Sequence, residues 1–164
     1  MEDRERRLHT CCFTGHRPGK LRTPEAEIRA WLEKQIGRAV ADGYDTFITG
    51  CAMGVDLWAG EAVLRKREEN PAVRLVAAIP WPGMAEHWEK EWRDRFREVI
   101  ARADEAVTIC DRYHKYVYSQ RNIWMVDRSS RLIAFYNGLP GGTGSTVRYA
   151  EKCGLEVVLW EIGV

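Results

Sequence analysis

Glycine and hydroxyl residues that could hold an anion are concentrated in one short stretch near the end of the chain. Residues 140–146 (PGGTGST) lie between a predicted strand and a predicted helix. Glycine lets a ligand approach the backbone closely, and a helix start offers unpaired N–H groups and a positive dipole end. A flexible turn with a serine cap is the simpler interpretation, but three glycines and three hydroxyl side chains together favour anion binding. The predicted ligand-binding residues in this loop are Gly141, Gly142, Thr143, Ser145 and Thr146.

A second glycine loop, residues 50–56 (GCAMGVD), follows the second predicted strand. The simpler interpretation is a tight turn with Asp56 as the helix cap, and for Asp56 alone capping is about as good an explanation as ligand binding. Neither loop is a common nucleotide signature, because no lysine follows as in a Walker A motif and GxGxxG is absent after the first strand. The two loops together favour a ligand, and the predicted binding residues here are Gly50, Cys51, Ala52, Gly54 and Asp56.

Polar residues at other predicted strand ends could complete the site. A lone histidine or arginine on a loop is usually solvated, but parallel α/β sheets bind ligands beyond the carboxyl ends of their strands. Two arginines, one in the first loop and one at a later helix start, can hold a phosphate bidentately from either side. The residues added on this ground are Thr14, Gly15, His16, Arg17, Arg121, Asn122 and Asn137. No catalytic residue is assigned, and an acid or base would have to come from Asp56, Asp111 or His16.

Strand-like and helix-like segments alternate along the whole chain. The predicted strands are Leu8–Thr14, Asp45–Thr49, Val73–Ile79, Ala106–Cys110, Leu132–Tyr136 and Val157–Trp160. The predicted helices are Pro24–Asp42, Val55–Lys66, Met84–Ala103, one from about Gln120 to Arg128 and one from about Gly141 to Lys152. This alternation predicts one α/β domain over residues 1–164, a Rossmann-like three-layer αβα sandwich with a mostly parallel sheet of about six strands. In the expected strand order 3-2-1-4-5-6, the strand that ends at Thr14 lies beside the one that ends at Cys110.

Composition argues against several classes of protein. The 164 residues carry a net charge of +1 and are 45% hydrophobic, which is ordinary for a globular domain and atypical of a strongly basic nucleic-acid-binding one. No stretch is long and apolar enough to cross a membrane, and no apolar run follows the charged N-terminal residues, so neither a membrane partner nor a signal peptide is expected. Five cysteines without a CxxC spacing argue against a metal site or a disulfide framework and favour the reducing cytoplasm. Adjacent Cys11 and Cys12 would face opposite sides of a strand.

Four stretches of the chain, taken in order, carry a family resemblance. They are residues 13–18 (FTGHRP), residues 49–56 (TGCAMGVD), Arg121-Asn122 with residues 125–127 (MVD), and Gly141-Gly142-Thr143. Over nearly its whole length the chain resembles the YpsA-like family of the SLOG superfamily, which is named for the Smf/DprA and LOG proteins. The resemblance implies a Rossmann-like fold and a nucleotide or nucleotide-derived phosphate ligand, such as an ADP-ribose, NAD-like or AMP-like molecule. It implies no known reaction or certain cofactor, so a sensor or regulatory protein is the leading hypothesis.

Relatives within the superfamily supply two alternative functions. LOG-type enzymes are phosphoribohydrolases with the motif PGGxGTxxE, whose glutamate is catalytic. Here Ser145 and Arg148 stand at the threonine and glutamate positions, so that chemistry does not carry over, although a hydrolase acting on a nucleotide glycosidic or pyrophosphate bond stays an alternative. DprA-type proteins bind single-stranded DNA and have a GxAxGxD loop similar to residues 50–56, but the near-neutral charge here argues for a weaker electrostatic grip on nucleic acid. A homodimer is also considered, because related folds often dimerise through helices.

Overall fold

The computed structural model describes residues 3–138 and 140–161. Strands and helices alternate in these residues, with a short 3₁₀ turn at Pro18–Lys20. The strands are β1 (Thr10–Gly15), β2 (Thr46–Thr49), β3 (Arg74–Ile79), β4 (Glu105–Thr108), β5 (Arg131–Tyr136) and β6 (Glu156–Glu161). The helices are α1 (Asp3–Leu8), α2 (Glu25–Ala41), α3 (Val55–Glu69), α4 (Lys90–Arg102), α5 (Val117–Asp127) and α6 (Gly142–Lys152).

The strands form one parallel sheet in the order β4-β3-β2-β1-β5-β6. The Rossmann-like sandwich predicted from the alternation of elements is confirmed. The prediction that β4 lies beside β1 is wrong. Strand β1 lies between β2 and β5, and β4 forms an edge of the sheet. The chain adds four strands in one direction before residues 109–116 lead it to α5 on the opposite face. Apolar strands of similar composition do not encode their own order, so the sequence pattern could not distinguish the two arrangements.

The helices divide between the two faces of the sheet. Helices α2, α3 and α4 cover one face, where they pack around Phe13 in the larger core cluster. Helices α5 and α6 cover the other face, where Met125 and Val147 lie in the second cluster. Cys11 and Cys12 of β1 point into different clusters, as strand alternation predicts. Both faces of β1 are therefore buried, which fixes the strand from which the loop containing His16 and Arg17 emerges.

Two helices begin three or more residues away from their predicted starts. Helix α4 starts at Lys90 rather than Met84, because Glu89 has an extended backbone with ψ of 151° that separates the helix from the preceding turns. Helix α5 starts at Val117 rather than Gln120. Helix α1 is an element that the apolar pattern does not predict, and none of its residues is buried.

The end of β1 can approach α3 closely because its last residue is glycine. A Cβ atom added to Gly15 would lie closer to the Cβ of Val55, the first residue of α3, than any van der Waals contact allows. Val55 is fully buried, so it has little room to move aside. The approach of a helix, and not only that of a ligand, therefore requires glycine at this position.

Gly15→Ala should destabilise the protein by about 1–3 kcal/mol, because an extra methyl group in a packed interior forces the backbone or the neighbouring rotamers to shift. Gly37 in α2 offers a matched control, since a Cβ atom there would meet nothing within 4 Å. Gly37→Ala should be neutral or stabilise the helix by up to about 1 kcal/mol. Urea unfolding of both variants measures the difference, and equal stabilities would contradict the close packing of β1 on α3.

Candidate functional site

A cleft with a volume of about 260 Å³ lies at the carboxyl edge of the sheet. It is formed by the loop after β1, the loop after β2 with the start of α3, the start of α5 and the start of α6. The residues that line it are Thr14, Gly15, His16, Arg17, Lys20, Ala52, Asp56, Tyr118, Arg121, Asn122, Gly142 and Thr143. The strand order reverses between β1 and β5. Open parallel sheets bind their ligands beside such a reversal.

Most of the predicted binding residues line this cleft. The exceptions are Gly50, Cys51, Gly54, Asn137, Gly141, Ser145 and Thr146. Two of them contact lining residues from behind: the Gly50 carbonyl accepts a hydrogen bond from Arg121 Nη1 (2.6 Å), and the Asn137 N–H donates to His16 Nε2 (3.1 Å). Ser145 is exposed on α6 and does not line the cleft.

Other exceptions hold the loops in shape. The Thr146 hydroxyl donates to the Gly142 carbonyl (2.8 Å) within α6. Cys51 has a left-handed backbone with φ of 61°, and its side chain is buried. A Cβ atom on Gly54 would lie 2.8 Å from the carbonyl oxygen of His16, so the loop after β2 packs directly on the loop after β1. These residues support the wall of the cleft.

Two lining residues lie outside the predicted set. Lys20 ends the 3₁₀ turn after β1, and Tyr118 lies in the first turn of α5. The guanidinium carbons of Arg17 and Arg121 lie 5.7 and 5.8 Å from the centroid of the Tyr118 ring. Residues three apart on a helix are neighbours, so the spacing of Tyr118 and Arg121 indicates this contact once α5 is known to start at Val117.

His16 is held as a neutral imidazole in one tautomer. Its Nε2 accepts the Asn137 N–H, and because a backbone N–H can only donate, the ring proton must lie on Nδ1. Burial lowers the pKa of His16 from its ordinary value of 6.5, and the nearby charge of Lys20 lowers it further. The ring therefore lines the cleft without a charge, and Nδ1 carries its proton.

The opposite charges of the buried Asp56 carboxylate and the buried Arg121 guanidinium stabilise each other in the cleft. Asp56 and Arg121 are each 5% exposed. Burial raises the pKa of Asp56, and this effect is opposed by Arg121, by the Ala52 N–H 3.3 Å from Oδ2, and by Arg17. Burial lowers the pKa of Arg121, and the charge of Asp56 opposes that shift. Asp56 thus lies in the cleft as a carboxyl group that is costly to ionise without its cationic neighbours.

Arg121 has a structural contact in addition to its place in the cleft. Its Nη1 and Nε donate to the Gly50 carbonyl (2.6 Å) and to Asn122 Oδ1 (2.8 Å). Asp127 accepts a hydrogen bond from the Tyr149 hydroxyl of α6, and Asp111 is exposed and lines a separate cavity. The acid or base candidates that do line the cleft are therefore Asp56 and His16.

The start of α6 combines a positive helix end with a lysine side chain. Gly141 has φ of 145°, a conformation that other residues rarely adopt, and it leads the chain into the helix at Gly142. A Cβ atom on Gly141 would lie 3.4 Å from Lys20 Nζ, so this ammonium group lies beside the helix start. A cation there is unfavourable, because the helix dipole and the unpaired N–H groups of the first turn are also positive. An anion bound between them would relieve this repulsion.

The described residues form neither a metal-binding cluster nor a membrane-spanning helix. Within 3–138 and 140–161, no group of three or more His, Cys, Asp or Glu side chains is placed to hold a metal ion. None of the helices in that part of the chain combines the length and the apolar character that crossing a bilayer requires. All five cysteines are free thiols, of which Cys153 is exposed and the others are buried.

The stability of the protein should fall as the pH drops below about 6.5, in part because of His16. Its folded-state pKa is lowered, so the unfolded chain takes up this proton first, and the stabilisation present above 6.5 is lost as pH falls through the folded-state pKa. The loss for one proton is at most about 1.4 kcal/mol per pH unit. His16→Gln places an amide oxygen near Nε2 and removes the titration.

Urea unfolding at pH 7 and pH 5 would measure this effect. The wild type should lose more unfolding free energy than His16→Gln over this range. His87, which is exposed and lies outside the cleft, provides the control variant His87→Gln. Identical losses in wild type and His16→Gln would contradict the neutral, hydrogen-bonded state of His16.

Comparison with known proteins gives one family and several relatives. Residues 11–152 match the YpsA family, described as the "YspA SLOG family". A UPF0398 protein of Bacillus pumilus (strain SAFR-032) is 24% identical over 132 residues, which is 76% of this chain and 71% of the relative. A UPF0398 protein of Bacillus cereus (strain B4264) is 27% identical over 156 residues, which is 90% of this chain and 85% of the relative.

Solved structures with a similar fold include a DNA processing protein and a carrier protein. DNA processing protein A from Helicobacter pylori, whose structure was described for its single-stranded DNA binding mode, has a TM-score of 0.64 and 16% identity, over 94% of this chain and 66% of that chain. The Moco carrier protein of Chlamydomonas rheinhardtii has a TM-score of 0.54 and 18% identity, over 93% of this chain and 76% of that chain. At these identities the structural likeness shows the fold alone. The family match, by contrast, includes the strands, helices and loops that build the cleft, and the chain therefore belongs to the YpsA family of SLOG proteins.

Proposed function

We propose that this protein binds a nucleotide or nucleotide-derived ligand in the cleft and acts as a sensor or regulatory protein. The observation that carries the proposal is the balance of charge around the cleft. Arg17, Lys20 and Arg121 line it together with the start of α6, whereas Asp56 is the single carboxylate among the described lining residues. A phosphate is the common biological anion that suits arginine and lysine side chains beside a helix start.

The phosphate should lie between Arg17, Lys20 and the first turn of α6. Lys20 Nζ is beside Gly141, and Gly142 and Thr143 of that turn line the cleft. These groups repel one another in the absence of an anion, so a bound phosphate would gain from all of them at once. The exposed side chains of Arg17 and Lys20 also leave the phosphate accessible from solvent.

The other lining groups suit the nucleoside part of such a ligand. Asp56 can accept a hydrogen bond from a ribose hydroxyl, His16 carries an N–H donor, and Tyr118 offers an aromatic ring. The cleft volume of about 260 Å³ is below the range of about 300–1,000 Å³ typical of drug-sized ligands. It therefore favours one nucleotide unit, with the remainder of a larger molecule such as ADP-ribose or NAD outside the cleft.

Calorimetric titration with AMP, ADP-ribose, NAD and inorganic phosphate tests this function. At least one nucleotide should bind more tightly than phosphate, and Arg17→Ala should weaken its binding about tenfold or more, as expected for one charge-assisted contact. Arg22→Ala is the matched control, because Arg22 is exposed but does not line the cleft. No binding by any member of the panel, or equal effects of the two variants, would contradict the proposal.

Gly142→Asp should abolish or strongly weaken nucleotide binding without destabilising the protein. A Cβ atom at Gly142 meets nothing within 4 Å, so the side chain fits, and a carboxylate in the first turn stabilises a helix. It would nevertheless put a negative charge where the phosphate should bind, with a loss of about tenfold or more. Gly142→Ala adds a side chain without charge and should bind much more tightly than Gly142→Asp. Calorimetry and thermal melts compare the two variants, and equal affinities would count against phosphate binding at α6.

The alternative function is hydrolysis of a glycosidic or pyrophosphate bond. The glutamate position of the phosphoribohydrolase motif carries Arg148, which is exposed and donates to the Ser145 hydroxyl. A hydrolase would depend on Asp56, the carboxyl group with a raised pKa in the cleft.

A cytoplasmic location is part of the leading proposal, because a reducing compartment suits five free thiols.

Purified protein should release no free base from AMP or similar monophosphates. Chromatography of AMP incubated with stoichiometric protein measures this directly, with a LOG-type phosphoribohydrolase as the positive control. Efficient release of adenine that is lost in Asp56→Asn would establish the hydrolase and overturn the binding-only function.

A further inference from the structure

A surface cavity of about 460 Å³ lies beyond the carboxyl end of β4. The residues that line it are Ile109, Cys110, Asp111, Arg112, His114 and Gln120. None of these residues lines the cleft. The volume is within the range of about 300–1,000 Å³ that is typical of small-molecule sites. A small molecule could therefore occupy this cavity independently of a ligand in the cleft.

Two internal hydrogen bonds determine which polar groups the cavity can offer to a ligand. The Cys110 thiol donates to Gln120 Oε1 (3.1 Å), so the carbonyl oxygen of this amide has a partner and its NH₂ group is left to donate. The Tyr116 N–H donates to His114 Nδ1 (3.2 Å), and the ring proton of His114 must therefore lie on Nε2. Together with the Arg112 guanidinium, these groups make one side of the cavity rich in hydrogen-bond donors.

The same hydrogen bonds argue against Cys110 as a nucleophile. A base for its thiol would have to be an unprotonated ring nitrogen within hydrogen-bond reach. Nδ1 of His114 already accepts the Tyr116 N–H, and Nε2 carries the proton. The thiol instead donates to an amide oxygen, which is not a base at neutral pH. The arrangement therefore favours binding of a ligand over covalent chemistry.

Charges of both signs lie side by side in this cavity. Asp111 and Arg112 are consecutive and exposed, and Asp111 is the one carboxylate among the described lining residues. A phosphate would be attracted by Arg112 but repelled by Asp111, and a simple amine would meet the reverse. A ligand that carries a carboxylate and an ammonium group on neighbouring atoms gains from both residues. The end of a peptide chain has only one of these groups, so it fits less well.

We propose that this cavity binds a free α-amino acid with an apolar side chain. The carboxylate would accept hydrogen bonds from Arg112, His114 Nε2 and the Gln120 amide, because a planar guanidinium fork matches a carboxylate. The ammonium group would pair with Asp111, and the side chain would contact Ile109, the aliphatic residue of the lining. This inference does not depend on the function proposed for the cleft.

Calorimetric titration with three molecules of related carbon skeleton tests the proposal. L-Leucine has both charged groups, 4-methylpentanoate has only the carboxylate, and isoamylamine has only the ammonium group. L-Leucine should bind about tenfold or more tightly than either of the others, since each of them lacks one charge-assisted contact. Glycine, which has no side chain, should bind more weakly than leucine. Equal affinities for the three molecules, or no binding of leucine, isoleucine, valine, methionine or phenylalanine, would overturn the inference.

Substitutions in the cavity test where the amino acid binds. Arg112→Ala and Asp111→Asn should each weaken leucine binding about tenfold or more. Both side chains are exposed, so neither change should destabilise the fold. The matched controls are Arg97→Ala and Glu98→Gln, because these residues are exposed on α4 and line neither the cavity nor the cleft. Leucine binding that is the same in the cavity variants as in the controls would contradict the site.

Titration of the same variants with AMP separates this inference from the function of the cleft. AMP affinity should be unchanged by Arg112→Ala, and leucine affinity should be unchanged by Arg17→Ala, because each arginine lines only one of the two sites. AMP binding without binding of any apolar amino acid would overturn the amino-acid site alone. Leucine binding that requires Asp111 and Arg112, in a protein that binds no nucleotide, would support this site and contradict the proposed function.

Discussion

The hydrogen bond between Arg121 and the Gly50 carbonyl joins parts of the chain that the topology brings together from far apart. Helix α5 follows β4 at the edge of the sheet, whereas Gly50 follows β2 near its centre. The 2.6 Å contact holds the start of α5 against the second glycine loop. A Cβ atom on Gly50 would lie 2.7 Å from the guanidinium carbon, so only glycine allows this approach. Hydrogen bonds from charged donors contribute about 1.5–3 kcal/mol, and here the donor is buried as well.

Once α5 is held in this position, its first two turns supply one wall of the cleft. Tyr118, Arg121 and Asn122 line that wall, and Asp56 at the start of α3 compensates the buried charge of Arg121. Asp56 also accepts the Ala52 N–H, so the second glycine loop is tied to the same pair of charges. A substitution of Arg121 would consequently disturb the fold as well as the proposed ligand contact. A variant at the exposed Arg17 examines ligand binding with less disturbance of the fold.

The cleft has more positive than negative charge, and this imbalance must be offset by solvent or by a ligand. Arg17 and Lys20 are exposed and can be hydrated, whereas Arg121 and the first turn of α6 have less access to water. An anion that bridges these groups would convert repulsion into binding energy. Proteins of the same fold at 16–18% identity can carry different sites on similar scaffolds. The function of this chain therefore depends on the residues of its own cleft.

Local features could be predicted from the sequence because they depend on residues that are close together along the chain. Apolar runs predicted the strands, helical spacing predicted most of the helices, and glycines before a helix start predicted the loop at Gly141, whose φ is 145°. Those features were enough for the α/β fold and for most residues of the cleft. Helix boundaries were less certain, because the start of α5 at Val117 and the break at Glu89 depend on packing as well as propensity.

Only the tertiary structure decided which loops meet. The order that places β1 beside β5, and β4 at the edge, cannot be inferred from strands of similar composition. The tautomer of His16 depends on the N–H of Asn137, 121 residues away along the chain. Likewise, Lys20 joins the cleft only because its turn lies against the start of α6, and Tyr118 only because α5 lies against Gly50. The residue types and their local conformations were thus determined by the sequence read along the chain, whereas their convergence on one cleft arose from long-range contacts that no local pattern records.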